Sequence, residues 1–301
     1  MELSDLRVLV AVARAGGISQ ATTELHAVQS SVSARIAGLE KDLGAVLLRR
    51  HARGVALTPA GEQFLDYAQR IISLADEAAR VVRDHTPSGP LRIGAMETTV
   101  ALRLPEVLAS FTGAWPKVDL SLLTGPSDTL VAAVKDHTLD AALVAGPLAD
   151  PDLDEEPVCE EELVLISARR FGDLDQLLGS QTARRLIVFR SGCSYRRRLE
   201  ALLRTRGVAP EKVFDYGSIE GILACVAAGL GITMLPAALI ERAEQRSGLQ
   251  PHRLTPSEST APTVIVRRRD THPTAALRQF HQHLLGTPDP YAEPSLTTND
   301  S

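Results

Sequence analysis

Read for apolar spacing alone, the chain opens with helices. Leu6, Leu9, Val10, Val12 and Ala13 recur at the interval of one helix face, and Gly16-Gly17 ends the run. Ser19 stands as an N-cap before Ala21, Thr22 and Leu25. After a break at His26-Ala27, Val32, Ile36, Leu39 and Leu43 return at spacings of 4, 3 and 4, with Gly44 placed as a C-cap. From Leu47 to Leu57 apolar ends flank a basic, glycine-containing middle, which predicts a small β-ribbon with a charged tip. Thr58-Pro59 then signals a new helix, Thr58 capping and Pro59 at the first position, where its missing N–H costs nothing. This helix can run to about Asp84, roughly 39 Å at 1.5 Å per residue. Phe64, Ala68, Ile71, Ala75, Ala78 and Val82 share one seam of it. That seam predicts a dimeric coiled coil, or else a stripe buried within the same chain.

Thr86-Pro87-Ser88-Gly89-Pro90 cannot continue a helix and reads as a hinge between domains. Beyond it, strand-like runs at Leu91–Gly94, Val118–Leu123 and Ala141–Val144 alternate with helical ones at Val100–Phe111 and Thr129–Val134, an α/β pattern. The pattern repeats through Leu163–Ile166, Leu186–Phe189, helices at Tyr195–Arg206 and Ile219–Ala228, and Ile232–Leu235, so two similar α/β halves are expected. A late strand, Val264–Val266, followed by Leu277, Phe280 and Leu284, returns the chain to the first half. The tail 287–301, rich in Pro, Thr, Asp and Ser, is expected to be disordered.

The 301 residues are 44% hydrophobic and 23% charged, ordinary for a chain that forms cores. The apolar runs are far shorter than the ~20 residues that cross a bilayer, and the first residues lack a basic, then apolar, leader. No membrane role is expected, and the cytoplasm is the expected location. Three cysteines without a C-x-x-C spacing and scattered histidines suggest neither disulfides nor a metal site. No G-x-S-x-G, no glycine-rich phosphate loop and no matched nucleophile–histidine pair is present, so an enzyme is not expected and no cofactor is implied. A cytoplasmic small-molecule-binding protein, or an enzyme using the α/β cleft, is the alternative of another class.

The net charge of −5 argues against nucleic acid until it is divided. Between Gln29 and Thr58, Arg35, Lys41, Arg49, Arg50 and Arg53 face only Glu40 and Asp42, whereas 22 basic and 27 acidic residues follow from Thr86 onward. Two short helices joined by a tight turn, with a basic ribbon behind, make the pattern of a winged helix-turn-helix whose second helix enters the major groove. With Val32, Ile36 and Leu39 inward, the outer face carries Ser30, Ser33, Ala34 and Ala37, with Gln29 and Arg35 at its edges. Gln29 can pair with adenine, the serine hydroxyls can take bases or phosphates, and Arg50 and Arg53 suit phosphates.

Ile18–Leu25, Val28-Gln29-Ser30-Ser31-Val32-Ser33, Leu39-Glu40-Lys41-Asp42-Leu43-Gly44, Arg50, Arg53 and Leu57-Thr58-Pro59-Ala60-Gly61 together resemble the DNA-binding segment of LysR-type transcriptional regulators. The likeness continues through Gly89-Pro90-Leu91-Arg92-Ile93-Gly94, Leu139-Asp140-Ala141-Ala142-Leu143 and Ala228-Gly229-Leu230-Gly231-Ile232-Thr233-Met234-Leu235-Pro236. Val28 stands where the family usually has Ser or Thr, so Ser30 is expected to cap in its place. Ala34 stands where Arg is frequent, with Arg35 next to it.

The resemblance implies an α+β multidomain chain. It would comprise a winged helix-turn-helix (1–58), a linker and dimerisation helix (59–85), a hinge (86–90) and a periplasmic-binding-protein-like (type 2) effector domain (91–286). Subdomain I of the latter is expected over about 91–161 and 266–286, and subdomain II over about 162–265. It further implies a homodimer or homotetramer on double-stranded promoter DNA, RNA polymerase as a further partner, and a small effector in the cleft, for which the expected helix N-termini around Thr98, Cys193 and Ser218 suggest a carboxylate. Closure on that effector would change dimer spacing and DNA bending.

Thr98 and Thr99, Cys193 and Ser194, and Ser218 stand at expected helix N-termini, where free N–H groups and hydroxyls suit an anion. The run from Gly192 to Glu200 resembles a subgroup that includes glutamate- and citrate-type regulators; at most one or two of Arg196, Arg197 and Arg198 can reach a ligand, since successive helix residues diverge by 100°. Cys193, beside this basic run, is also a candidate low-pKa thiol for a redox-sensing regulator of the same fold. Cys225, within Ile222–Ala228, is expected in the core.

Overall fold

Leu3–Ala15 (α1), Ile18–Leu25 (α2) and Gln29–Leu43 (α3) form the helical start in the computed structural model, which describes residues 1–51, 54–83, 86–168, 171, 173–242 and 248–286. Their inward positions Leu6, Leu9, Val12, Ala21, Val32, Ile36 and Leu39 close one core with Leu47 and Ala68. Gly16 and Gly44 end α1 and α3 in the left-handed region (φ 67° and 64°), which a glycine enters without steric cost. The expected cap at Ser19 is displaced. Extended Gly17 occupies the cap place, because buried Ile18 is drawn into the helix, and Ser19 lies inside the first turn. Val28 caps α3 with extended backbone and no side-chain bond, so Ser30, in the first turn, does not take over that task.

Leu48–His51 (β1) and Gly54–Leu57 (β2) pair antiparallel as the expected ribbon. The Glu40 carboxylate fastens it to α3, accepting from the Leu47 and Leu48 amides at 2.7 and 3.1 Å. Thr58 caps Pro59–Arg83 (α4) as expected: its Oγ1 accepts from Gly61 N at 3.0 Å and donates to Val46 O at 2.7 Å. The single seam expected on α4 divides. Ala68 is fully buried and Phe64 packs beside it in the core closed by α1, while Ile71 and Val82 stay exposed next to Tyr67 and Leu74. Two adjacent apolar stripes on one 25-residue helix merge into one in a heptad reading.

The chain divides into two compact units, residues 1–84 with 136–138, and residues 85–135 with 139–301. The second begins with Gly89–Ala95 (β3), Glu97–Leu102 (α5), Leu104–Ala114 (α6), Val118–Thr124 (β4), Ser127–Lys135 (α7) and Ala141–Ala145 (β5). Leu153–Ala168 (β6), Leu174–Leu178 (α8), Arg185–Phe189 (β7), Ser194–Thr205 (α9), Lys212–Tyr216 (β8) and Ile219–Ala227 (α10) follow. Thr233–Pro236 (β9), Ala237–Arg242 (α11), Leu249–His252 (β10), Pro256–Ser259 (α12), Thr260–Arg268 (β11) and Ala275–Gly286 (α13) complete it.

One sheet runs in the order β10-β6-β11-β5-β3-β4, with β9 also on β6; β4, β3 and β5 are parallel. β7 and β8 form a parallel pair that reaches β9 through a bridge between Leu186 and Ile232. The strands β6 and β11 are shared by two lobes. The beginning of β6 belongs with β11 and β5, and its end, Leu163–Ile166, packs in a separate core with β7, β9 and α9. β5 is buried on both faces: Ala141 and Leu143 enter the core of α6 and α13, Ala142 and Val144 the core of α7.

Two expected boundaries shift. Gly89 and Pro90 belong to β3 rather than to the hinge, Gly89 N donating to Lys117 O at 3.0 Å. The return to the first lobe comes before 266, since Thr263–Val266 pair with β5 and Ile265 lies in its core. The ladder between β6 and β11 shifts register at Thr263/Val264, next to Pro262 and opposite Pro157, and no periodic pattern marks that crossover. The tail 287–301 lies outside the described residues. Among the described residues no helix is long and apolar enough to cross a membrane.

Candidate functional site

Two regions carry chemistry, one in each unit. In the first, the buried side of α3 fixes which residues face outward. Val32, Ile36 and Leu39 are anchored in the core, so Gln29, Ser30, Ala34 and Ala37 are exposed and Ser33 is half-buried. The exposed face is therefore built of small and polar side chains. Arg35 does not extend that face freely. Its Nη1 lies 2.7 Å from Ser4 Oγ and 3.0 Å from Asp5 Oδ1, so its guanidinium clamps α3 to the first turn of α1. Of Arg50 only the backbone, in β1, is described, and Arg53 lies outside the described residues. The ribbon is held independently of them, Val55 N donating to Gly16 O at 2.9 Å.

In the second unit the parallel strands decide the site. Met96 and Glu97 follow β3, Thr124 to Ser127 end β4 and begin α7, Phe189 to Cys193 end β7, and Tyr216-Gly217 end β8. Open α/β sheets bind ligands beyond the carboxyl ends of their strands. Here those ends enclose a cavity of about 180 Å³ lined by Met96, Glu97, Thr98, Pro126, Ser127, Phe189, Arg190, Cys193, Tyr195 and Tyr216 among others. That is smaller than the ~300–1,000 Å³ of pockets for drug-sized ligands.

Of the residues expected to hold an effector, Thr98 and Cys193 line this cavity, while Thr99, Ser194 and Ser218 are not in its wall. Thr99 and Ser194 are buried, and neither hydroxyl has a hydrogen-bond partner among the described residues. Ser218 caps its own helix, its Oγ accepting from Gly221 N at 3.1 Å. The Thr98 hydroxyl lies 3.2 Å from Tyr195 Oη, and Tyr195 donates to the Glu161 carboxylate, a buried chain of three groups joining α5, α9 and β6. Burial, then the Glu161 charge, pushes the Tyr195 phenol well above its usual range, so it remains a donor.

The low-pKa thiol expected at Cys193 is reversed. Burial raises its pKa, outweighing the Arg196 and Tyr195 amides and the Arg197 charge, which pull it down. Cys225 packs against the core only half-buried, its thiol 3.0 Å from Tyr216 Oη. The three consecutive arginines all turn elsewhere: Arg196 to Glu200 and Asp215, Arg197 to Asp128, Arg198 to Thr260 O.

The charges that do line the cavity are Arg190 and Glu97. Neither forms a salt bridge or a side-chain hydrogen bond among the described residues. Burial raises the Glu97 carboxyl pKa, Arg190 pulls it down and Glu220 adds to the rise. Arg190 directly follows the apolar run Leu186–Phe189 at the end of β7, a position marked in the sequence by the strand end and not by any helix-cap pattern.

The profile described as "Bacterial regulatory helix-turn-helix protein, lysR family" matches residues 3–62, and "LysR substrate binding domain" matches residues 84–288. The HTH-type transcriptional regulator GltR of Bacillus subtilis (strain 168) is 40% identical over 285 residues, covering 94% of this chain and 96% of that one. YofA of the same organism, also an HTH-type transcriptional regulator, is 39% identical over 281 residues, 93% and 97% of the two chains. Among solved structures, full-length CbnR complexed with its target DNA superposes with a TM-score of 0.68 at 25% identity, covering 94% of this chain and 99% of that one. A full-length OxyR variant from Pseudomonas aeruginosa shares the fold, with a TM-score of 0.68 at 20% identity over 95% and 94% of the chains.

Proposed function

Because the chain belongs to the LysR family of DNA-binding transcriptional regulators, we propose that it reads promoter DNA through the outer face of α3 and responds to a small carboxylate-bearing effector in the cavity of its second unit. Gln29, Ser30 and Ser33 are the base-facing candidates, with Arg50 and Arg53 of the ribbon on phosphates. Arg35 contacts DNA only in competition with its pair to Asp5, and its role is to hold α3. Arg190, a cation facing a small cavity at the strand ends, is the observation that carries the effector reading.

The exposed stripe Tyr67, Ile71, Leu74 and Val82 suits a second copy of α4, giving a dimer that presents two α3 helices to two half-sites. Effector-driven closure of the two lobes would then alter how the half-sites are spanned. Fluorescence anisotropy of the full chain with the DNA upstream of its own gene tests the first part. Affinity falls steeply with salt, and Gln29→Ala costs about 1–3 kcal/mol if Gln29 pairs with a base. Salt-insensitive binding, or no binding, refutes the reading.

A further inference from the structure

Resting on the effector reading above, we propose that the ligand is a zwitterion of amino-acid size with an apolar side chain, its carboxylate on Arg190 and its ammonium on Glu97. Both side chains line the same cavity of about 180 Å³, and neither has a salt-bridge partner among the described residues. They come from opposite lobes, Glu97 from the first turn of α5 and Arg190 from the end of β7. A ligand carrying one charge satisfies one of them only. A simple carboxylate leaves Glu97 facing a second negative group in a confined space, and a simple amine leaves Arg190 beside a cation. A molecule with both charges joins the two lobes through its two ends.

The neighbourhood of Glu97 favours a cation further. Glu220, in the first turn of α10 on the other lobe, raises the Glu97 carboxyl pKa by less than Arg190 lowers it; a ligand carboxylate on Arg190 draws off that offset, and an ammonium at Glu97 restores it. Thr98, Thr124 and Ser127 also line the wall, but the Thr98 hydroxyl is engaged by Tyr195 and the Ser127 hydroxyl by Met96 Sδ, so Met96, Pro126, Phe189 and Tyr216 leave a short apolar side chain as the best complement.

The test uses the full chain in a thermal-shift and calorimetry series. One arm is the twenty L-amino acids, the second is succinate, citrate, benzoate and 2-oxoglutarate. For the tightest amino acid, the matching acid without the amino group and the matching amine without the carboxyl group follow. The expected result is an apolar amino acid that binds at least about tenfold tighter than either truncated analogue. Glu97→Gln then abolishes the preference over the deaminated acid, and Arg190→Met weakens both.

The comparison of analogues on the unaltered protein needs no variant, so misfolding of a variant does not decide it. Equal binding of amino acid and deaminated acid, or a preference unchanged in Glu97→Gln, overturns the proposal. If only the second arm binds, the zwitterion is refuted and the carboxylate effector stands. If neither arm binds, both readings fall.

Discussion

Adding one methyl group at Gly61 sets two known effects against each other. Gly61 lies in the first turn of α4, where alanine in place of glycine favours a helix by about 0.5–1 kcal/mol. A Cβ built there, however, would collide with the Leu47 carbonyl oxygen, with Leu47 C at 3.0 Å and Leu57 Cδ2 at 3.1 Å. That carbonyl accepts from Thr58 N at 2.9 Å and ties the start of the ribbon to the cap of α4, so it cannot withdraw without loosening this bond. Overpacking costs about 1–3 kcal/mol and a weakened hydrogen bond about 1 kcal/mol, so the clash outweighs the propensity gain. The net expectation for Gly61→Ala is a loss of about 1–3 kcal/mol, confined to the first unit.

Hydrogen-exchange mass spectrometry of the full chain reads this locally. Amides of α1 and α3 should exchange roughly 5- to 150-fold faster, at 1.4 kcal/mol per tenfold. The single Trp115 lies in the second unit, so its fluorescence unfolding curve should not move. Gly38→Ala is the internal control: nothing lies within 4 Å of a Cβ there, and protection should be unchanged or greater. Unchanged or increased protection in Gly61→Ala would refute the reasoning, because it would mean that the Leu47 carbonyl gives way freely.

Three further outcomes follow from buried groups of the second unit. Tyr195→Phe removes the donor to Glu161 and the partner of Thr98, and should cost about 1–3 kcal/mol in urea unfolding followed by Trp115; no shift would show that the three-group chain carries no stability. His252, whose ring Nε2 lies 2.9 Å from Ser167 Oγ, has its pKa lowered by burial below the usual 6.5, Asp173 opposing. The unfolded chain therefore binds a proton at a higher pH than the folded one, and this group's contribution is lost as pH falls through 6.5 toward the depressed folded value. His252→Gln should flatten that part of the profile, and identical slopes would refute the assignment. Cys193, buried with a raised thiol pKa, should react with iodoacetamide at pH 7 far more slowly in the native chain than in urea; equal rates would contradict its burial.

Much of the first unit was legible because its contacts are local. Helix spacing from Leu6 to Leu43, the glycine stops, and the Thr58-Pro59 signal are each written within a few residues, and the outer face of α3 follows from its inner one. The stripe on α4 was legible as apolar, but which part faces its own chain is settled by the packing of α1 against Phe64 and Ala68.

In the second unit the sequence by itself determined the alternation of strands and helices, since buried parallel strands such as Ala141–Ala145 read as apolar runs. It did not determine the crossover strands. The stretch Leu153–Glu162 is dominated by carboxylates and becomes a strand through its ladder with β11, about a hundred residues away. The site has the same dependence. Hydroxyls at helix starts are visible in sequence but mostly cap or lie buried, as with Ser218, Ser194 and Thr99. Glu97 and Arg190 are ordinary charged residues in the chain, ninety-three positions apart. Only the folding of two sheets with their carboxyl ends toward one cavity puts both into one wall, because a long-range contact has no local residue pattern to announce it.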